Sequence, residues 1–203
     1  MSIWAIVPVK PLRRGKSRLA GMLTEEQRTR LNRYLLEHVL NALKEVAEIE
    51  HALVVSRDPA ALALTREIGG RTVLENGVPQ FNTALKRATA VAQLHGAHAV
   101  LILPADLPLV TPDDIRQVLK RGHKSPVVVI IPDRRGDGTN ALFVNPAGLL
   151  DYAYGPGSNR RHAERAAEAG ARVEIVASPS IGLDLDLPED LEAVGGLRGL
   201  GLE

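Results

Sequence analysis

Apolar residues along this chain fall into short continuous runs separated by longer stretches of helical period. Residues 4–8, 51–56, 71–74, 98–104 and 127–131 are runs of four to seven residues, and their length and aliphatic content predict strands. The run at 98–104 is the strongest, with Ala99, Val100, Leu101, Ile102 and Leu103 in succession. Between the runs the spacing changes. Leu31, Tyr34, Leu35, Val39, Ala42, Leu43 and Val46 recur every three or four positions and predict a helix. Thr24 and Gln27 have the N-cap and N3 spacing of a capping box at its start. Asp58-Pro59 opens a second helix that ends near Gly69-Gly70, and residues 79–95 form a third. Thr111-Pro112-Asp113-Asp114 combines a cap, a proline in the first turn and two acids, so a fourth begins there.

Past Pro132 the alternation loosens. Residues 139–144 read as a strand, 158–169 as a helix and 172–176 as a late strand. Asp184 and Asp186 alternate with Leu183, Leu185 and Leu187, so in a strand the two carboxylates share one face. Pro188-Glu189-Asp190 then opens a last helix, with Asp186 or Leu187 as its cap. Strands apolar on both faces, alternating with helices, specify a mostly parallel sheet with helices on both faces. The 203 residues are read as one α/β domain, with 132–180 as a substrate-binding insert and the glycine-rich end, 195–203, as a flexible tail.

Composition narrows the function. Twenty-five basic residues nearly cancel 24 acidic ones, which argues against nucleic acid as a partner. No apolar run approaches the roughly 20 residues of a membrane span, so no membrane partner is expected. The chain has no cysteine, which removes disulfides and thiolate metal sites. A cytoplasmic protein is the expectation, and Trp4 is assigned to the core.

The basic residues are local. Residues 8–19, P-V-K-P-L-R-R-G-K-S-R-L, follow the first strand and carry Lys10, Arg13, Arg14, Lys16 and Arg18 with no acid before Glu25. A loop after the first strand lies at the carboxyl edge of the sheet, where open α/β folds bind ligands. Gly15 is expected to let the backbone approach a phosphate. Gly15-Lys16-Ser17 imitates the tail of a phosphate-binding P-loop, but Lys10 stands where that motif needs glycine.

Asp106, in L-P-A-D-L-P, ends the strongest strand, and two prolines stiffen its turn. A second acidic strand end is expected at Asp184 and Asp186. Carboxylates at strand ends suit Mg²⁺, which takes few protein oxygens and keeps phosphate oxygens and water. Asp106 is expected to be exposed, so that losing it costs chemistry and little stability. In G-D-G-T-N, Thr139 and Asn140 are candidate substrate-binding residues, and so are Gly155 and Ser158 in Y-G-P-G-S-N. The latter turn leads into a helix whose free amides suit an anion. The histidines show no zinc spacing, and none is assigned to catalysis.

Taken in order, P-V-K-P-L-x-x-G-K-S-R-L, P-A-D-L-P, G-D-G-T-N-A-L, Y-G-P-G-S-N-x-x-H and G-L-D-L-D-L-P-E-D-L resemble the 2-phospho-L-lactate / phosphoenolpyruvate guanylyltransferase family of coenzyme F-420 biosynthesis. The resemblance covers residues 3–191. It implies a nucleotide-diphospho-sugar transferase (GT-A-like) fold. It also implies transfer of GMP from GTP to phosphoenolpyruvate or 2-phospho-L-lactate, with pyrophosphate released. On these motifs Lys10, Lys16 and Arg18 would hold nucleotide phosphates. Asp106 with Asp184 and Asp186 would hold Mg²⁺, and Thr139, Gly155 and Ser158 would hold the acid. Asn159 stands where members often carry phenylalanine.

Such a reaction needs no general base, because a substrate phosphate is already anionic. Bringing two polyanions together is an electrostatic problem, and the basic loop and acid-held cation answer it. A sugar or molybdopterin nucleotidyltransferase of the same fold, or a non-catalytic GTP-binding module, are the alternatives. The choice of phospho-acid, the share of Asp184 against Asp186 in the metal site, and assembly beyond a homodimer expectation stay open in the sequence.

Overall fold

A computed structural model describes residues 1–77 and 80–202. The elements run β1 (Ile3–Val9), α1 (Glu25–Lys44), β2 (Ile49–Ser56), α2 (Pro59–Ile68), β3 (Arg71–Leu74), α3 (Phe81–Leu94), β4 (Ala99–Ile102) and α4 (Pro112–Arg121). They continue through β5 (Val127–Pro132), β6 (Thr139–Asn145), α5 (Ser158–Glu168), β7 (Arg172–Ile175), α6 (Pro179–Gly182), α7 (Pro188–Ala193) and α8 (Gly196–Gly199). Pro79, expected to open the third helix, lies outside the described residues; the helix starts at Phe81.

One seven-stranded sheet has the order β3-β2-β1-β4-β6-β5-β7. All pairings are parallel except those of β6, which runs antiparallel to β4 and β5. Helices cover both faces over two apolar clusters. One face packs Ala5, Val7, Leu101, Val129 and Phe143 under α1, α2 and α4. The other packs Trp4, Ile6, Val100, Ile130 and Leu142 under α3 and α5. These residues alternate along each strand, so both faces of the pleat are buried, as parallel α/β sheets require. Trp4 is in this core.

The local signals act as their chemistry demands. Thr24 accepts from the Gln27 amide while Gln27 accepts from Thr24, and Thr111 and Asp114 form the same reciprocal cap on α4. Asp58 caps α2.

Three later segments take a definite place in the fold. Within residues 132–180, read as a substrate-binding insert, β6 lies between β4 and β5 and is buried throughout. The segment with Asp184 and Asp186 pairs with no strand among the described residues; it follows α6, which the sequence pattern did not reveal. The glycine-rich end carries α8 and lays Leu197, Leu200 and Leu202 against a third apolar cluster of Leu19, Leu31, Leu35, Leu185 and Leu191. That cluster joins the basic loop, through Leu19, to the acidic segment, through Leu185. No helix among the described residues is long and apolar enough to cross a membrane.

Candidate active site

The chain builds β1 to β3 outward in one direction and then returns to place β4 on the other side of β1. The carboxyl ends of β1 and β4 are therefore neighbours, with Ile6 opposite Ile102. Between such diverging connections a crevice opens, and this is where sheets of this kind bind ligands. The basic loop leaves β1 into it, and the Asp106 turn leaves β4 into it.

The loop is tied down on all sides. The Leu12 amide donates to Asp58 Oδ2 at 2.7 Å, and Asn32 Nδ2 donates to the Leu12 carbonyl at 2.7 Å. At Gly15 a Cβ would meet Asn32 Nδ2 at 2.6 Å. Lys16 then adopts left-handed backbone, φ 56°, the one non-glycine among the described residues to do so. That conformation costs about 1 kcal/mol or more, and such strain collects at functional positions. Here it turns the Lys16 side chain inward, to 5% exposure. Ser17–Leu19 follows as a 3₁₀ turn and not the long helix a P-loop would open.

Lys16 Nζ reaches Asp106 Oδ2 at 2.9 Å and Asp186 Oδ1 at 3.7 Å. Arg18 binds the other oxygen of Asp186 at 2.6 Å. Two loops and the late acidic segment thus meet around one ammonium. Burial tends to raise the Asp106 pKa, but the charge and hydrogen bond of Lys16, with Lys10 nearby, hold it below the usual range. Asp184 goes the other way. Its pKa is raised first by burial and then by the charge of Asp106, against a hydrogen bond from Asn140. Asp106 and Asp184 are thus close enough to repel.

Asn140 Nδ2 donates to the carbonyls of Ile181 and Gly182 at 2.9 and 3.0 Å and lies 3.2 Å from Asp184 Oδ1. Its place is therefore under the acidic segment, as a brace. Asp190 braces the same segment from behind. Its Oδ2 accepts from the amides of Asp186 and Leu187, and its Oδ1 pairs with Arg134 at 2.6 Å. Among the described residues no three His, Asp or Glu side chains are assembled to coordinate an ion. Asp186 is turned to Lys16 and Arg18, and Asp184 to Asn140. Arg13 pairs with Glu25, while Lys10 and Arg14 are exposed and make no ion pair among the described residues.

Thr139, the neighbour of Asn140 on β6, meets α5 instead. Its hydroxyl lies 3.0 Å from His162 Nδ1, and Ser158 Oγ donates to it at 3.2 Å. The Ala153 amide donates to His162 Nε2 at 3.0 Å. Thr139, Ser158 and His162 are all buried, and burial, with Arg165 and Arg161 adding to it, lowers the His162 pKa to about 4. Tyr154 covers the imidazole edge-on, with ring centroids 4.8 Å apart. Gly157 caps α5 in left-handed backbone, φ 70°, where glycine carries no penalty.

The turn before α5 is less open than its sequence suggests. The Gly157 amide is held by Asp137 Oδ2, the Ser158 amide by the Gly155 carbonyl and the Asn159 amide by the Asp137 carbonyl. Gly155 is exposed beside this turn.

His162 was given no role from sequence. Its signal was its position, four residues after Ser158, which puts both side chains on one face of α5.

Residues 3–196 match the model of the family described as guanylyl transferase CofC like. The phosphoenolpyruvate guanylyltransferase of Rubrobacter xylanophilus is 42% identical over 201 residues, covering 98% of this chain and 97% of its own. That of Conexibacter woesei is 37% identical, covering 96% and 87%. In structure, the chain resembles a nucleotide-diphospho-sugar transferase described as putative, from Desulfovibrio desulfuricans, with TM-score 0.78, 16% identity and coverage of 96% and 87%. It also resembles a nucleotidyl transferase from Methanothermobacter, with TM-score 0.70, 18% identity and coverage of 100% and 99%. At those identities the structural likeness speaks for the fold, and the sequence matches speak for the family: this chain belongs to the guanylyl transferase family of CofC type.

Proposed function

We propose that this protein transfers the guanylyl group of GTP to phosphoenolpyruvate and releases pyrophosphate, a step in coenzyme F-420 biosynthesis. One observation carries the reading beyond family membership. Lys16, buried and bridging Asp106 and Asp186, puts cation and carboxylates in the same crevice at the switch point of the sheet. A phosphate oxygen of the acid attacks the α-phosphorus, a new P–O–P bond forms, and the bond to the β-phosphate breaks. The attacking oxygen is anionic, so the chain need supply no base. Its work is to hold two polyanions in line and to neutralise the charge that moves onto pyrophosphate. Lys16, Arg18 and the exposed Lys10 and Arg14 are the cations for that work.

The oxygen-only donor set fits Mg²⁺. Asp106, Asp184 and Asp186 are the carboxylates that would hold it. When bound, the ion would neutralise phosphate charge. The phosphorylated acid goes to the neutral side, where Thr139, with Ser158 behind it and Gly155 at the rim, offers uncharged donors. The relatives named for phosphoenolpyruvate favour that acid over 2-phospho-L-lactate.

The test is mass spectrometry of reactions holding GTP, Mg²⁺ and either phosphoenolpyruvate, 2-phospho-L-lactate or 3-phosphoglycerate, with ATP as the base control. A guanylylated phosphoenolpyruvate product is expected. Equal products from ATP would refute guanine selection, and product only with another acid would refute the acceptor.

A further inference from the structure

Thr139 has a hydroxyl that is hydrogen-bonded twice from within the protein, and the direction of both bonds is fixed. The Ala153 amide is a donor only, and it points at His162 Nε2. Nε2 therefore holds a lone pair, and in a neutral imidazole the proton sits on Nδ1. Nδ1 then donates to Thr139 Oγ1 at 3.0 Å. Ser158 Oγ donates to the same oxygen at 3.2 Å. Both lone pairs of Thr139 are taken, and its own proton has no acceptor among the described residues.

We infer that His162 is a positioning residue for the acid site: with Ser158 it fixes the buried Thr139 hydroxyl as a donor whose own proton is left for an anionic oxygen of the phosphorylated acid. The inference rests on the proposed reading that Thr139 holds the acid. A free threonine hydroxyl can rotate and present either a lone pair or a proton. Presenting a lone pair to a carboxylate or phosphate is repulsive. Two donors behind the oxygen remove that choice before the substrate arrives, which is preorganisation without any charge. The surroundings keep the imidazole in this state. It is fully buried, Tyr154 packs on it, and the charged Arg161 and Arg165 of the same helix disfavour protonation.

A pair of substitutions separates positioning from packing. An asparagine amide can take the place of Nδ1, and a glutamine amide that of Nε2. H162N keeps a donor to Thr139 and loses the acceptor for Ala153. H162Q keeps that acceptor and loses the donor.

H162Q is expected to raise the KM for phosphoenolpyruvate about ten-fold, the scale of one hydrogen bond to a charged group, and to leave the KM for GTP unchanged. H162N should stay within about three-fold of the parent on both substrates. If H162N is impaired and H162Q is not, the imidazole serves the 153 turn and the inference falls. It falls also if both are impaired equally.

T139V separates this from the underlying reading. Loss of acid affinity in T139V with a normal H162Q retains Thr139 in the acid site and sinks the role of His162. An unchanged acid KM in T139V sinks the acid-site reading itself. Should H162Q not fold, ¹H–¹⁵N spectra of the intact protein decide through the tautomer. A protonated Nδ1 and bare Nε2 at neutral pH are required, and the opposite tautomer overturns the inference.

Discussion

On the proposed reading, the two halves of the candidate site bind anions in opposite ways. On the β1–β4 side, charge does it: Lys16 and Arg18 stand against Asp106, Asp184 and Asp186, with Lys16 in strained backbone and almost out of water. On the β6–α5 side the groups around Thr139 are neutral, and the direction of hydrogen bonds would do it: Ala153 to His162, His162 and Ser158 to Thr139. The difference follows from what each half meets. A triphosphate and its leaving pyrophosphate would carry several charges that move during reaction, so compensating ions are useful there. Charged pairs also tolerate rearrangement, whereas a neutral network works only if every member is satisfied.

The comparison is broken most sharply at Asp106. D106N is expected to lower turnover about 100-fold or more, since the carboxylate would help hold the charge-stabilising cation. Asp106 is not the exposed residue the sequence suggests. Its side chain is 32% accessible and is the closest partner of a buried lysine. Stability should therefore fall too, by about 1–3 kcal/mol, because Lys16 loses that partner in a low-dielectric crevice. Activity assays and urea denaturation of the same sample check both. Near-normal turnover at unchanged Mg²⁺ demand would end the metal role of Asp106.

On the neutral side the expected effect is smaller and confined to one substrate. S158A removes one of two donors to Thr139 and should raise the acid KM several-fold, up to about ten-fold, with the GTP KM unmoved. Its melting temperature must be followed, since Ser158 is fully buried. A rise in the GTP KM instead would mean that the two halves are not separate.

Acid should also weaken the neutral half through His162. Its pKa is about 4 in the fold and about 6.5 when unfolded, so between these values the unfolded chain binds the extra proton. The contribution is complete above pH 6.5 and is lost progressively toward pH 4, on the order of 3 kcal/mol in all. Denaturation at several pH values should show a slope in this window that flattens in H162N and H162Q. An unaltered slope would mean that another group carries it.

The smallest effect is at Asp137, an acid beside the neutral groups. Its carboxylate holds the Gly157 amide at the start of α5, where an anion is favoured. D137N should reduce stability by roughly 0.3–1 kcal/mol and lower the acid KM about two-fold, as a competing negative charge disappears. Isothermal titration with phosphoenolpyruvate would show the sign; weaker binding in D137N would show that Asp137 supports the pocket.

Strands, helices and caps were legible wherever a local rule decides. Thr24, Asp58 and Thr111 cap the helices they were expected to start, and the buried runs lie on the sheet. The acidic segment was misread for an instructive reason. Alternating Asp and Leu is the pattern of a strand, yet here it reflects one buried leucine, Leu185, between two half-exposed acids on an unpaired segment. Pairing partners are not local information. At Gly15, likewise, what a missing Cβ makes room for is set by Asn32, 17 residues along the chain.

The sequence by itself determined the α/β layering, the basic loop after β1, the acid after β4 and the ordered motifs of the family. These follow from periodicity, from side-chain chemistry and from the position of a residue relative to its own strand. Only the tertiary structure decided that β6 enters the middle of the sheet, that Lys16 reaches Asp106, 90 residues away, and that His162 stands behind Thr139. A side chain's partners and the tautomer of a buried imidazole depend on which distant donors and acceptors packing brings within hydrogen-bond distance, and no periodicity in one segment records what faces it from another.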